Sequence, residues 1–460
     1  MPSKIQRFWQ ESLLREFPWR WALWWLLLPN LAFIVMWPIG GPTMADSMFA
    51  CGLVAIAVMW VKNVAIRRLA LVLIYAVQLT IYVTKSFNID FWNITLVTEY
   101  LVDLNVAKSP EYLVAALVVA GAVTLSMVFG AQMQKFTNRK EVIGAVGMVA
   151  LLINADAFAT EGTRGSYKAS APAGTPMDSA ILQNGISPET VAAKNLVIIM
   201  VESWGVPSDP HDAALDKRIW AGEQVQDRYT IRRGKSAYFG STTNGEMREL
   251  CGIWGDHLST DFDKVDCLPQ RFRDAGFQTA AYHTFTRTFF GRFEWYPKLG
   301  FDESSFEKDL KKRGARHCDG VFAGACDVDV PKMIADDLRA SPSDRNLVYW
   351  LTLNAHLPVA HESALGTREC ELGDAEWRED FPMLCRNYMV HQLVADAIFK
   401  ELSDPGFPEA DVLIIGDHMP PFFQRSIRTR FDAAHVPWIY LENKAARSHE
   451  EDQTVIALRD

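Results

Sequence analysis

Residues Asp411 to Pro421 read DVLIIGDHMPP, and this stretch decides the fold. Val412 to Ile415 is an unbroken apolar run, mostly β-branched, closed by Gly416. So short and so apolar a run predicts a strand buried on both faces, as inside a parallel sheet. It ends abruptly in Asp417-His418, a carboxylate beside an imidazole. Open α/β sheets place ligands at the carboxyl ends of their strands. The pair is therefore half of a candidate metal site, although alone it would equally suit a solvated loop.

The design recurs along the chain. Asn195 to Gly205, NLVIIMVESWG, delivers Glu202 after an apolar run. Asn346 to Pro358, NLVYWLTLNAHLP, delivers His356, and Phe277 to His283, FQTAAYH, delivers His283. From Asn195 onward such runs alternate with helical patterns, as in Val330 to Arg339 and Arg386 to Leu402. That alternation predicts an α/β domain with a mostly parallel sheet flanked by helices. Glu, His and Asp-His at several strand ends point to one polar site above the sheet.

The remainder of the 460 residues is of another kind. The chain is 49% hydrophobic with a net charge of −9, which gives no basis for nucleic-acid binding. The apolar, Trp-rich residues concentrate before residue 158. Five candidate spans are readable: Trp21 to Ile39, Met48 to Val61, Leu69 to Val83, Tyr112 to Phe129 and Val142 to Phe158. A crossing helix needs roughly 20 mostly apolar residues. The first and fourth meet this well, the second and third are short, and the fifth carries Asn154 and Asp156 near its end, as an interfacial helix would. Lys4, Arg7, Arg15 and Arg20 precede the first span. Lys62, Arg67 and Arg68 lie between the second and third, and Lys135, Arg139 and Lys140 between the fourth and fifth. The intervening segments are acidic or mixed, with Asp46 after the first span and Asp90, Glu99 and Asp103 against Lys85 and Lys108. Positive charge alternating in this way predicts a cytoplasmic N-terminus and five crossings. The chain would then be an integral membrane protein, with everything after residue 158 extracytoplasmic. Phe91 to Leu104 is amphipathic and suits the outer membrane surface. Six of seven cysteines (Cys251, Cys267, Cys318, Cys326, Cys370 and Cys385) lie in that outer part, an even number that fits disulfides in an oxidising compartment. They fall into three sequence-local pairs, although six cysteines allow 15 pairings.

Three domains follow: a transmembrane domain over 1–158, a Gly/Ser/Ala/Pro-rich linker over 159–192, and a catalytic domain over 193–460. Within the last, Phe239 to Gly252, FGSTTNGEMRELCG, runs small residues into a helical pattern. A hydroxyl there is an N-cap, with Glu246 as a possible capping-box partner. It is equally a nucleophile at a helix start, where backbone N–H groups face an anion.

Glu202 at a strand end, a Thr in a Gly-rich turn before a helix, His356 in LTLNAHLP and the later GDH together resemble the alkaline phosphatase and sulfatase superfamily. The pattern is most similar to its membrane-anchored branch, the lipoteichoic acid synthase-type phosphoglycerol transferases. Phe289 to Asp302, FFGRFEWYPKLGFD, matches that branch's FWNR…LGFD segment. The resemblance implies a five-helix bundle followed by an extracytoplasmic sulfatase-like domain. It implies that Glu202, Asp417 and His418 ligate one divalent cation, with Thr242 as fourth ligand and nucleophile and Thr243 in reserve. It assigns His356 to the leaving group or acceptor and Arg292 to the substrate phosphate. Phe289 and Phe290 would wall the pocket, and His283 would join the substrate-binding set. The ligand mix suits Mn²⁺, Zn²⁺ or Mg²⁺.

The implied reaction moves a phospho-headgroup, phosphoglycerol by preference, from a membrane phospholipid through phospho-Thr to an envelope glycan or glycolipid. Met419 after the Asp-His, Phe290 for a Trp and Gly291 for an Asn depart from the pattern, so phosphoethanolamine transfer and phosphodiester hydrolysis remain open. A non-catalytic envelope scaffold is a further alternative. A sulfatase would need a CxPxR-type Cys at the nucleophile turn, where none occurs.

Overall fold

A computed structural model describes residues 17–37, 42–87, 110–131, 136–160, 163–164, 167–168, 170–320, 322–359, 361, 364–422 and 424–448. The chain divides into two compact units, with the boundary in the sequence between Ser166 and Tyr167.

In the first unit, three helices among the described residues are long and apolar enough to cross a membrane: Trp19–Met36, Val64–Lys85 and Arg139–Thr160. Two apolar helices, Ala45–Trp60 and Ala116–Gly130, are shorter. All five segments of the sequence reading carry helix, and among the described residues three of these helices reach crossing length. The segment that looked weakest, Val142 to Phe158, is among the three. Its Asp156 is buried and accepts from the Met44 amide (2.7 Å) and the Trp37 indole (3.0 Å), so the charge that argued against burial is met inside the unit. Ser47 Oγ donates to Gln78 Oε1 at 2.9 Å and Gln78 Nε2 to Asn30 Oδ1 at 2.6 Å, tying three helices where water would be absent. The amphipathic Phe91 to Leu104 and the charges at Lys4, Arg7, Arg15, Asp90, Glu99, Asp103, Lys108 and Lys135 lie outside the described residues.

The second unit is an α/β domain. Its main sheet has seven strands: β1 (Asn195–Val201), β2 (Tyr229–Ala237), β3 (Gln278–His283), β4 (Glu303–Ser305), β5 (Asn346–Leu351), β6 (Ala410–Gly416) and β7 (His435–Asn443). The spatial order is β2-β7-β6-β1-β5-β3-β4. The five strands β6, β1, β5, β3 and β4 run parallel, and β7 and β2 continue the sheet antiparallel. Every residue of β1, β5 and β6 is buried, as near-continuous apolar runs demand at the centre of a covered sheet. Val201 pairs with Gly416, so Glu202 and Asp417 leave adjacent strands at the same level. The helix Pro382–Ser403 buries Val390, Val394, Ile398 and Leu402, a stripe at helical spacing.

The stretch read as a linker is only partly one. Ser179 caps the short helix Ala180–Asn184, and Ala180, Ile181, Ile186 and Val191 join the core. Gly and Pro dominate the composition there, but these apolar side chains find a surface to cover. Three disulfides, Cys251–Cys267, Cys318–Cys326 and Cys370–Cys385, join the sequence-local pairs.

Candidate metal centre

Four side chains converge where β1 and β6 end. Ligand atoms of Glu202, Asp417 and His418, all buried, lie within 4.8 Å of one another. Thr242 Oγ1, at the start of the helix Thr242–Glu246, donates to Glu202 Oε2 at 3.2 Å and sits 3.4 Å from His418 Nε2. Glycine permits the approach: a Cβ on Gly416 would stand 2.0 Å from the Trp204 carbonyl oxygen, and one on Gly245 would meet Asp417 backbone at 3.3 Å.

The outward-facing atoms are held from behind. Ser203, in a left-handed backbone conformation (φ 56°), donates its amide to Asp417 Oδ1 (2.8 Å) and its hydroxyl to Glu202 Oε1 (2.9 Å). The His418 amide also donates to Asp417 Oδ1, at 2.6 Å. His418 Nδ1–H donates to the Met419 carbonyl at 2.9 Å, which in the neutral ring leaves the lone pair on Nε2. That nitrogen faces Asp417 Oδ2 at 3.3 Å and Glu202 Oε1 at 3.5 Å. Asp417 Oδ2 is buried and accepts no hydrogen bond. Burial, and then the Asp417 carboxylate, push the Glu202 carboxyl well above its usual range. Two buried carboxylates and an imidazole meet at one point beside the Thr242 hydroxyl, and a divalent cation would satisfy all four. The donor set fits Zn²⁺, Mn²⁺ or Mg²⁺.

The other candidates have partners of their own. Thr243 is buried, and its hydroxyl donates to Asp256 Oδ2 at 3.2 Å, so Thr242 is the hydroxyl that the fold turns towards the cluster. The cap partners are Ser241 and Asn244, whose Oδ1 accepts the Ser241 amide at 3.0 Å. Glu246 is therefore no cap. It lies buried and accepts Arg292 Nη2 (2.8 Å), Arg292 Nε (3.2 Å), Tyr296 (2.5 Å) and Tyr349 (3.2 Å). The Arg292 guanidinium, expected on a substrate phosphate, is thus largely an internal ion pair, with Nη1 on the Phe289 carbonyl at 3.3 Å. Sequence spacing could not reveal a partner 46 residues away.

His283 is buried; its Nδ1–H donates to the Leu351 carbonyl at 3.3 Å, and burial and then Arg292 hold its pKa well below the ordinary value. His356 is half-buried in the loop after β5, edge-on to Phe322 with ring centroids 4.5 Å apart. That loop is pinned by buried Asp327, which accepts the Leu353 and Asn354 amides at 2.8 and 2.6 Å. Phe289 and Phe290 are half-buried, 4.4 Å apart, and Phe290 has a φ of 53°.

Sequence reasoning missed Ser203, Arg248 and His391. Arg248 is buried and donates to the carbonyls of Gly416 (2.9 Å) and Asp417 (3.1 Å), fastening the nucleophile segment to the end of β6. An arginine in a buried helical run was the only available signal. His391 Nε2–H donates to the Glu202 carbonyl at 3.0 Å.

No family model matches the chain, and no curated protein matches it. Solved structures do. The chain is similar to several of them at low identity. One is the lipoteichoic acid synthase LtaP from Listeria monocytogenes, at 15% identity and a TM-score of 0.43, over 55% of this chain and 66% of that one. Another is an alkaline phosphatase superfamily protein from Vibrio parahaemolyticus, at 18% and 0.35, over 55% and 60%. A third is the phosphoglycerol transferase GacH from Streptococcus pyogenes in complex with sn-glycerol-1-phosphate, at 18% and 0.37, over 54% and 69%. The match spans just under two thirds of the LtaP chain. Likenesses at this level assign no reaction; the geometry of the centre has to do that.

Proposed function

We propose that the protein is a metal-dependent phosphotransferase that moves a phospho-headgroup, phosphoglycerol by preference, from a membrane phospholipid to an envelope glycan or glycolipid. One observation carries the reading: Thr242 Oγ1 faces Glu202, Asp417 and His418, where Asp417 Oδ2 is buried without a hydrogen bond. A hydroxyl beside three side chains able to ligate a cation suits an activated alcohol better than a scaffold.

A divalent ion held by Glu202, Asp417, His418 and Thr242 would lower the hydroxyl pKa and offset charge on the phosphoryl oxygens. Thr242 Oγ1 attacks phosphorus as its proton passes towards Glu202 Oε2. The bond from phosphorus to the diacylglycerol oxygen breaks, and His356 supplies a proton to that oxygen. The headgroup rests on Thr242 as a phosphodiester until an acceptor hydroxyl displaces it, with His356 taking the acceptor's proton and Thr242 recovering its own. Arg292 has only the second N–H of each Nη left for a phosphate, since Nε and Nη2 face Glu246 and Nη1 the Phe289 carbonyl. Neutral His283 and the Phe289–Phe290 wall complete the substrate side.

Five crossings with a cytoplasmic N-terminus, a domain from about residue 193 in the periplasm, and disulfides formed there belong to the same proposal. Anchoring keeps the nucleophile near its lipid donor. Mass spectrometry of purified protein tests the reading. A phosphoglycerol adduct is expected on the peptide carrying Thr242, absent in Thr242→Ala and present in Thr243→Ala. A phosphoethanolamine adduct would overturn the headgroup, and no adduct in any variant would overturn the intermediate.

A further inference from the structure

After β3 the fold leaves aromatic surface in water. Phe285, Phe289, Phe290 and Phe322 are all half-buried and form one cluster. Phe322 stands 5.4 Å from Phe285 and 4.8 Å from Phe289 between ring centroids, and packs edge-on against His356. Three of these rings belong to the loop after β3. The fourth comes from the segment closed by the Cys318–Cys326 bridge.

The placement is built in. The Ala325 amide donates to the Thr284 carbonyl at 2.8 Å, so the bridged segment is strapped to the β3 loop. A Cβ on Gly324 would stand 2.4 Å from that same carbonyl oxygen, so only glycine allows the contact. Asp327, one residue past the bridge, holds the His356 loop through the Leu353 and Asn354 amides. Contiguous half-exposed aromatics on a stiff support mark a surface that meets an apolar ligand.

We propose that Phe322, with Phe285 and Phe289, forms an apolar lip that seats the glycerol-ester end of a membrane glycerophospholipid, making Phe322 a specificity-determining residue for the lipid donor. The occupant follows from three observations. The lip is continuous with His356 and with the Phe289–Phe290 wall. The chain carries helices able to cross a bilayer, so lipid is the apolar ligand at hand. Arg287, exposed in the same loop with its guanidinium 4.7 Å from the centre of the Phe293 ring, keeps a permanent cation there, which suits an anionic lipid.

The lip rests on the phosphotransfer reading, and the test separates the two. Full-length protein in detergent micelles is assayed with long-chain phosphatidylglycerol and with a water-soluble p-nitrophenyl phosphodiester. Phe322→Ala is expected to raise KM for the long-chain donor about tenfold with kcat within twofold, on the scale of one lost apolar contact. It is expected to leave kcat/KM for the soluble ester unchanged, and Phe322→Leu is expected to restore most of the loss. Equal loss with both donors, or with neither, overturns the lip. If wild type turns over neither donor, the phosphotransfer reading fails and the lip is judged alone. A phosphatidylglycerol bearing a photoreactive diazirine near its ester should then label the peptides carrying Phe285 or Phe322; labelling confined to the apolar helices overturns it.

Discussion

Two buried carboxylate clusters flank the nucleophile helix, and they are built on opposite principles. At the end of that helix, Glu246 is saturated: Arg292 gives it two nitrogens, and Tyr296 and Tyr349 each give it a hydroxyl. At its start, Glu202 and Asp417 crowd together with His418, and an oxygen of Asp417 accepts nothing. The first cluster is finished by the protein. The second is electrostatically incomplete, and a cation is what would complete it. The contrast distinguishes a structural carboxylate from a functional one when both are equally buried and both lie beside Thr242.

The comparison breaks most sharply at the nucleophile. Thr242→Ala is expected to lower turnover by about 10³-fold or more, as removal of a covalent nucleophile does, whereas Thr243→Ala, aimed at Asp256, should stay within tenfold; steady-state kinetics on the lipid donor decide. Next come the two clusters themselves. Glu246→Gln strands the Arg292 charge and should destabilise the second unit by about 3–5 kcal/mol, read by urea unfolding. Asp417→Asn should do the reverse in metal-free protein, leaving stability equal or higher because a like-charge contact is gone, while divalent-metal binding disappears from calorimetry.

A third effect is set by pH. Burial raises the Asp327 carboxyl from an ordinary 3.8 to about 6, against opposing bonds from Asn354, Leu353 and Thr284. The folded state therefore holds that proton longer than the unfolded chain does. Its stabilising contribution is complete below about 4 and is lost as pH rises through about 6, an amount on the order of 3 kcal/mol. Asp327→Asn should remove that share of the pH dependence of unfolding. The smallest expected effect is chelation. With metal at 100 times its Kd, removal should lower wild-type stability by about 2.7 kcal/mol, and Asp417→Asn should be indifferent to chelator in a melting experiment.

Much of the centre could be read from strand ends. An apolar run too short for a helix and too apolar for an exposed strand has to be a central strand, so Glu202, Asp417 and His418 were bound to emerge at one edge of the sheet. The same logic fails for side chains whose partners are remote. Arg292 beside aromatics reads as a phosphate fork, and only folding reveals Glu246 opposite it. Ser203 looks like an ordinary polar residue until its positive φ and its two bonds to neighbouring ligands are seen. In the first unit, apolar length was legible, but the merit of each span was not, because the acidic Asp156 that counted against the fifth is answered by Trp37 and Met44.

By itself, then, the sequence determined four adjacent strands of the sheet, the apolar helices, the edge at which the ligands emerge and the even set of cysteines, since these follow from local periodicity and counting. Tertiary structure decided which of two adjacent threonines faces the ligands, which carboxylate is already answered and which oxygen is left without a partner. Those outcomes depend on what lies across a few ångströms of space, and the chain brings those groups together from far apart.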